Sequence, residues 1–118
     1  MNPKELKDRT KKFVLRVLNL VDKLPRDVKG RVLSDQIARA GTSTAANYRA
    51  ACKARSRAEF VAKIGVAEEE ADEVQFWLEL IGEDNLVPAN RLGDLQQEAR
   101  ELTAIFAASR KSAARSGK

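Results

Sequence analysis

Residues 56–85, SRAEFVAKIGVAEEEADEVQFWLELIGEDN, carry a start signal, a period and a stop signal for one long helix. Ser56 and Glu59 fit the capping box, in which the Ser hydroxyl accepts from the amide three residues on and the Glu reaches back to the cap. From there Phe60, Ile64, Ala67, Ala71, Val74, Leu78 and Ile81 recur every three or four residues, which places them on one helical face. Gly82-Glu83-Asp84-Asn85 supplies the stop.

The flanking sequence repeats the pattern. Leu6, Thr10, Phe13, Val17, Leu20 and Leu24 form a stripe between Pro3, suited to an opening turn, and Pro25, so a first helix spans roughly residues 4–24. A second runs from about Val28 to Lys53 with Leu33, Ile37, Ala40, Thr44, Tyr48 and Ala51 inward, weakened locally by Gly30 and Gly41. A fourth starts near Pro88 on Leu92, Leu95, Ala99, Leu102, Ile105 and Phe106. No segment alternates with period two, and the short linkers favour antiparallel neighbours. The fold class is therefore all-α, an antiparallel up-down four-helix bundle forming one domain over residues 1–109. The basic tail, residues 110–118, is expected to be disordered.

At 118 residues with 43% hydrophobic content, the chain has material for one core. No apolar run approaches the ~20 residues of a membrane span. The segment MNPKELKDRTKK lacks the apolar centre of a signal peptide, so a cytoplasmic location is expected, with no membrane partner. Cys52 is the only cysteine, its default role being a small apolar side chain, and there is no histidine. Zinc sites built on Cys and His, Glu-x-x-His di-iron sites and Ser-His or Cys-His pairs are thus excluded, as are the common glycine-rich phosphate loops. Neither an enzyme nor a cofactor is expected.

Charge is unevenly placed. Residues 1–66 hold sixteen Lys and Arg against six acids, a balance of +10 in a chain of net +5, so the remainder carries −5. Such polarity either attracts a polyanion or draws one half of a protomer to the other half of a neighbour. Arg49, Lys53, Arg55, Arg57 and Lys63 cluster around the turn between helices two and three, where they offer charge for phosphates but no arrangement for reading bases. A solvated surface, or salt bridges to acids elsewhere, accounts equally for them. Tyr48 is better explained by core packing than by base stacking. Glu68, Glu69, Glu70, Asp72 and Glu73 form the opposite cluster, the one enzyme-like feature, in which Glu69 can converge with Asp72 and Glu73. Ionic contact with a neighbouring helix or subunit is the simpler account.

Gln36, Ser43 and Asn47 lie along one side of helix two near its apolar stripe, fixing helix register or facing a subunit interface or pore. Phe76 and Trp77 add more apolar width than one core requires, so at least one of them, with Trp77 preferred, is expected at a subunit interface.

Taken in order, Leu24-Pro25, Gln36-Ile37, Arg39-Ala40, Ser43, Asn47, Arg55-Ser56, Glu59-Phe60, Glu73 and Trp77-Leu78-Glu79-Leu80 resemble the recurrent pattern of a bacterial four-helix bundle family. That family includes proteins encoded in intervening sequences of 23S ribosomal RNA genes. Many members have Glu-Gly where this chain has Ala50-Ala51, so no role of that pair carries over. The resemblance implies a homopentameric ring around a central channel, with Gln36, Arg39, Ser43, Asn47, Glu69, Asp72, Glu73 and Trp77 as candidate interface residues. Related accessory proteins of diversity-generating retroelements form similar basic pentamers that associate with reverse transcriptase and nucleic acid. Two expectations follow. One is a non-enzymatic scaffold binding RNA or DNA through Arg49, Lys53, Arg55, Arg57 and Lys63, inside a ribonucleoprotein. The other is a structural or protein-binding ring, with a reverse transcriptase or another protein as partner, whose arginines pair with Glu69, Asp72 and Glu73 across subunits.

Overall fold

The computed structural model describes residues 1–116. Its elements are α1 (Pro3–Val21), α2 (Val28–Cys52), α3 (Arg57–Glu83) and α4 (Gly93–Arg115), with a 3-10 turn at Ala89–Arg91 leading into α4. No strand occurs among the described residues.

Side chains set three of the helix starts. Asn2 Oδ1 accepts from the Glu5 amide at 2.8 Å with Pro3 in the first turn, Asp27 Oδ1 accepts from the Gly30 amide at 2.8 Å, and Ser56 Oγ accepts from the Glu59 amide at 3.0 Å. Each satisfies an amide that has no partner within its own helix. At Ser56 only the hydroxyl half of the capping box forms; the Glu59 carboxylate turns instead to Arg55, 3.8 Å away. The end of α3 is closed by backbone alone. Leu86 N donates to Ile81 O and Asn85 N to Gly82 O, the two bonds of a Schellman motif, with Asn85 in the left-handed region at φ 57°. That conformation costs most L residues about 1–2 kcal/mol, and the asparagine side chain tolerates it better than alanine. Asn85→Ala is therefore expected to lower stability by about 1 kcal/mol. A urea midpoint shifted down at unchanged slope checks this; an unchanged midpoint contradicts it.

Contacts at increasing positions on one helix fall at decreasing positions on the next. Lys29 meets Asp84 while Arg39 meets Glu70, and Gln75 meets Thr103 while Arg110 meets Glu68. Gly30 lies against Pro25 and Gly41 against Val17. Successive helices thus run antiparallel, which brings the start of α1, the α2–α3 turn and the end of α4 to one end of a 50 × 22 × 21 Å body. The core runs its length through Phe13, Ile37, Ile64, Leu78, Ile81, Leu102 and Phe106, all fully buried. Thr10 and Thr44 are buried with them, and each hydroxyl donates to a carbonyl of its own helix, Lys7 O and Ala40 O. Gly41 of α2 has its explanation here. A Cβ at Gly41 would lie only 3.1 Å from Val17 Cγ1, so glycine is what lets α1 approach this closely.

Three boundaries differ from the sequence reading. Helix α1 ends at Val21, three residues short of the expected 24, although Leu24 stays buried from its place in the turn. The segment after Pro88 forms a 3-10 turn before α4 begins. Residues 110–118 are expected to be disordered, yet α4 continues through Arg115. Arg110 Nε donates to Glu68 Oε1 at 2.7 Å, and the Ala, Lys, Arg composition favours helix without burial. Residues 117 and 118 of that segment lie outside the described residues.

Candidate nucleic-acid interface

The five predicted basic residues occupy the last turn of α2, the α2–α3 turn and the first turns of α3, and all are exposed. Arg49 also complements the negative end of the α2 dipole. Among the described residues only Arg55 has an acid within 4 Å, its neighbour Glu59, and the Arg55 side chain is 91% exposed. A pair that open to water contributes little stability and leaves the guanidinium accessible.

Packing divides the cluster in two. Arg49 and Lys53 face α1, where Lys4, Lys7 and Lys11 form a second basic row. Between the rows lies a groove of about 510 Å³ with Thr10, Ala45 and Ala46 also on its lining and Asp8 as its one acid. Arg55, Arg57 and Lys63 are not on this lining. The α1 lysines are not among the candidates read from the sequence, although their spacing of three and four places them on one helical face. Which helix that face meets depends on tertiary packing. Arg9 is the contrasting case: its guanidinium forks onto Glu98 at 2.7 and 2.6 Å and reaches Glu101 at 2.8 Å. These bonds, led by the one to Glu98, raise its pKa further above the ordinary arginine value. Arg9 therefore ties α1 to α4 rather than facing a partner.

The acidic stretch is largely engaged within the chain. Arg39 pairs with Glu70 at 3.0 Å and with Glu73, Trp77 Nε1 donates to Glu73 at 3.1 Å, and Arg110 holds Glu68. The structure thus brings together three predicted interface residues, Arg39, Glu73 and Trp77. Asn47 Nδ2 donates to Ser43 O at 2.9 Å and Oγ at 3.0 Å, so those two satisfy each other on α2. Gln36 is half-buried on the same side of the helix. Glu69 and Asp72 are exposed and make no ion pair among the described residues. No group of three acids or cysteines among the described residues is placed to hold a metal ion.

The aromatic residues are arranged differently from the preference read in the sequence. Trp77 packs partly against the core, while Phe76, in edge contact with it at 5.0 Å, is 49% exposed. Tyr48 is buried and stacked on Phe106 at 5.7 Å, and burial, then its contact with Cys52, pushes its hydroxyl pKa up. No base can stack on it in this packing. Cys52, expected as a small apolar filler, is exposed at the end of α2.

A family model described as "23S rRNA-intervening sequence protein" matches residues 4–108. A crystal structure from Bacteroides thetaiotaomicron VPI-5482, described as a protein of unknown function from the S23 ribosomal protein family, is similar to this chain at 33% identity and TM-score 0.86. The match covers 94% of this chain and 99% of that one. No curated protein matches. No helix among the described residues is long and apolar enough to cross a membrane.

Proposed function

We propose, from the premise that this chain belongs to the 23S rRNA-intervening sequence protein family, that it is a non-enzymatic scaffold which binds nucleic acid through phosphate contacts at its basic end. The observation that carries the reading is a difference in pairing. Glu68, Glu70 and Glu73 of α3 are held by Arg39 and Arg110 inside the chain, whereas Arg49, Lys53, Arg57 and Lys63 have no acid within 4 Å among the described residues. Cations in that condition are available to replace the counterions of a phosphate backbone.

The homopentameric ring implied by the family resemblance belongs to the same proposal. Val28 and Val32 are 70% and 52% exposed, and they continue at spacings of three and four into Gln36, Arg39, Ser43 and Asn47. With Phe76 they would give a second copy an apolar centre bordered by polar groups, the usual anatomy of a subunit contact.

Fluorescence anisotropy with labelled RNA and DNA across a salt series tests the nucleic-acid reading. Four phosphate contacts predict a loss of roughly a hundredfold in affinity between 50 and 200 mM salt. The combined charge reversal of Arg49, Lys53, Arg55 and Arg57 to Glu should abolish binding. A variant that binds as well as wild type sinks the reading. Light scattering on the same sample distinguishes the rival: if reversal instead dissociates an oligomer, the cations serve assembly.

A further inference from the structure

We propose that the groove between α1 and α2, walled by Lys4, Lys7 and Lys11 on one side and Arg49 and Lys53 on the other, seats the phosphate backbone of a nucleic-acid duplex. This rests on the nucleic-acid reading above and assigns it a place that the α2–α3 turn alone does not provide. Concavity is the first argument. Two rows of like charge facing each other across a groove concentrate their field where a chain of anions would lie, while cations on a convex corner spread theirs into solvent. Arg55, Arg57 and Lys63 lie outside the groove, and Arg55 is partly matched by Glu59.

The second argument is the lining. Thr10, Ala45 and Ala46 are short, so a phosphate can approach without displacing a long side chain, and Asp8 is the single opposing charge. None of the five cations has an acid within 4 Å among the described residues, in contrast to Arg9 on the same helix. At the helical rise of 1.5 Å per residue, the three lysines extend along α1 by about 10 Å, enough to meet successive phosphates. The third argument selects the form of nucleic acid. Single-strand binders usually add aromatic platforms on which bases stack. No aromatic residue lines this groove, and Tyr48 is buried against Phe106. A site of charge without stacking suits a duplex, whose bases are already stacked, and it should ignore sequence.

The test compares three full-length proteins on a labelled mixed-sequence duplex and a single strand of the same length, by anisotropy across salt. They are wild type, a groove variant (Lys4→Ala, Lys7→Ala, Lys11→Ala) and a turn variant (Arg55→Ala, Arg57→Ala, Lys63→Ala). All of these positions except Arg55, in the α2–α3 turn, are exposed and helical, where alanine favours folding, and circular dichroism verifies the fold. The groove variant should bind the duplex at least tenfold more weakly, with the log–log salt slope shallower by roughly 2.7, or 0.9 for each lost phosphate contact. The turn variant should weaken binding as well, but by a smaller factor, about threefold, because its cations reach the backbone from outside the groove. Loss in the turn variant equal to or greater than that in the groove variant overturns the location and leaves the nucleic-acid reading standing. A clear preference for the single strand overturns the duplex assignment. Wild type that binds neither probe overturns both the location and the reading beneath it.

Discussion

Phe106→Ala is expected to remove about 3–5 kcal/mol of stability, a large share of the ~5–15 kcal/mol that holds a domain of this size together. Phe106 has no exposed surface, and its ring lies nearly parallel to that of Tyr48, so one side chain joins α4 to α2 across the middle of the bundle. Truncation loses the transfer energy of the ring, opens a cavity and ends the aromatic contact. Antiparallel helices this long cannot collapse onto the gap without disturbing the remaining layers, so relaxation recovers little. Chemical denaturation followed by circular dichroism measures the effect. Phe106→Leu, which keeps most of the volume, should cost less than half as much. A loss below about 1.5 kcal/mol for the alanine would show that this layer is looser than its burial indicates.

Gly30→Ala should cost about 2–4 kcal/mol, opposite in sign to the gain of ~0.5–1 kcal/mol that alanine usually brings inside a helix. An added Cβ would stand 1.8 Å from Pro25 O and 2.7 Å from its carbonyl carbon, and these are backbone atoms that no rotamer change can move. The Gly30 amide is meanwhile fixed by the Asp27 cap at 2.8 Å, so relief requires displacing the α1–α2 turn or surrendering the cap. Gly65→Ala is the internal control, because its Cβ would meet only Arg110 Cδ at 3.6 Å, an ordinary contact, and should stabilise slightly. If both substitutions move the thermal midpoint upward, the close approach at Pro25 is not a constraint.

Local signals proved readable wherever a short-range rule decides the outcome. Ser56 starts α3 and Asn85 follows its end because capping and left-handed turns involve residues only a few positions apart. The apolar stripes located the core for the same reason. The pairing of faces was harder. Lys4, Lys7 and Lys11 are visibly on one side of a helix, but their meeting with Arg49 and Lys53 depends on how α1 is rotated about its axis, which Gly41 against Val17 sets. Phe76 and Trp77 stand about 100° apart on α3, and an all-round apolar segment does not announce which of the two turns inward. Residues 110–115 misled because the stripe stops at Phe106; their helix is sustained by propensity and by Arg110 on Glu68, neither of which leaves a hydrophobic period.

The gathering of one end of every helix beside the α2–α3 turn gives the molecule an electrical direction. Lys4, Lys7, Lys11, Arg49, Lys53, Arg57, Lys63, Lys111 and Arg115 crowd that end, while at the other Glu79, Glu83, Asp84 and Asp94 are offset by Lys23, Arg26, Lys29, Arg31 and Arg91, so the positive excess lies at one end only. Charge concentrated at one end of a 50 Å body makes it an elongated dipole, so the field of a polyanion exerts a torque on it before any contact forms. The molecule would arrive already oriented, with the groove end leading. Salt would then screen this steering and slow encounters, in addition to weakening the phosphate contacts of the completed complex.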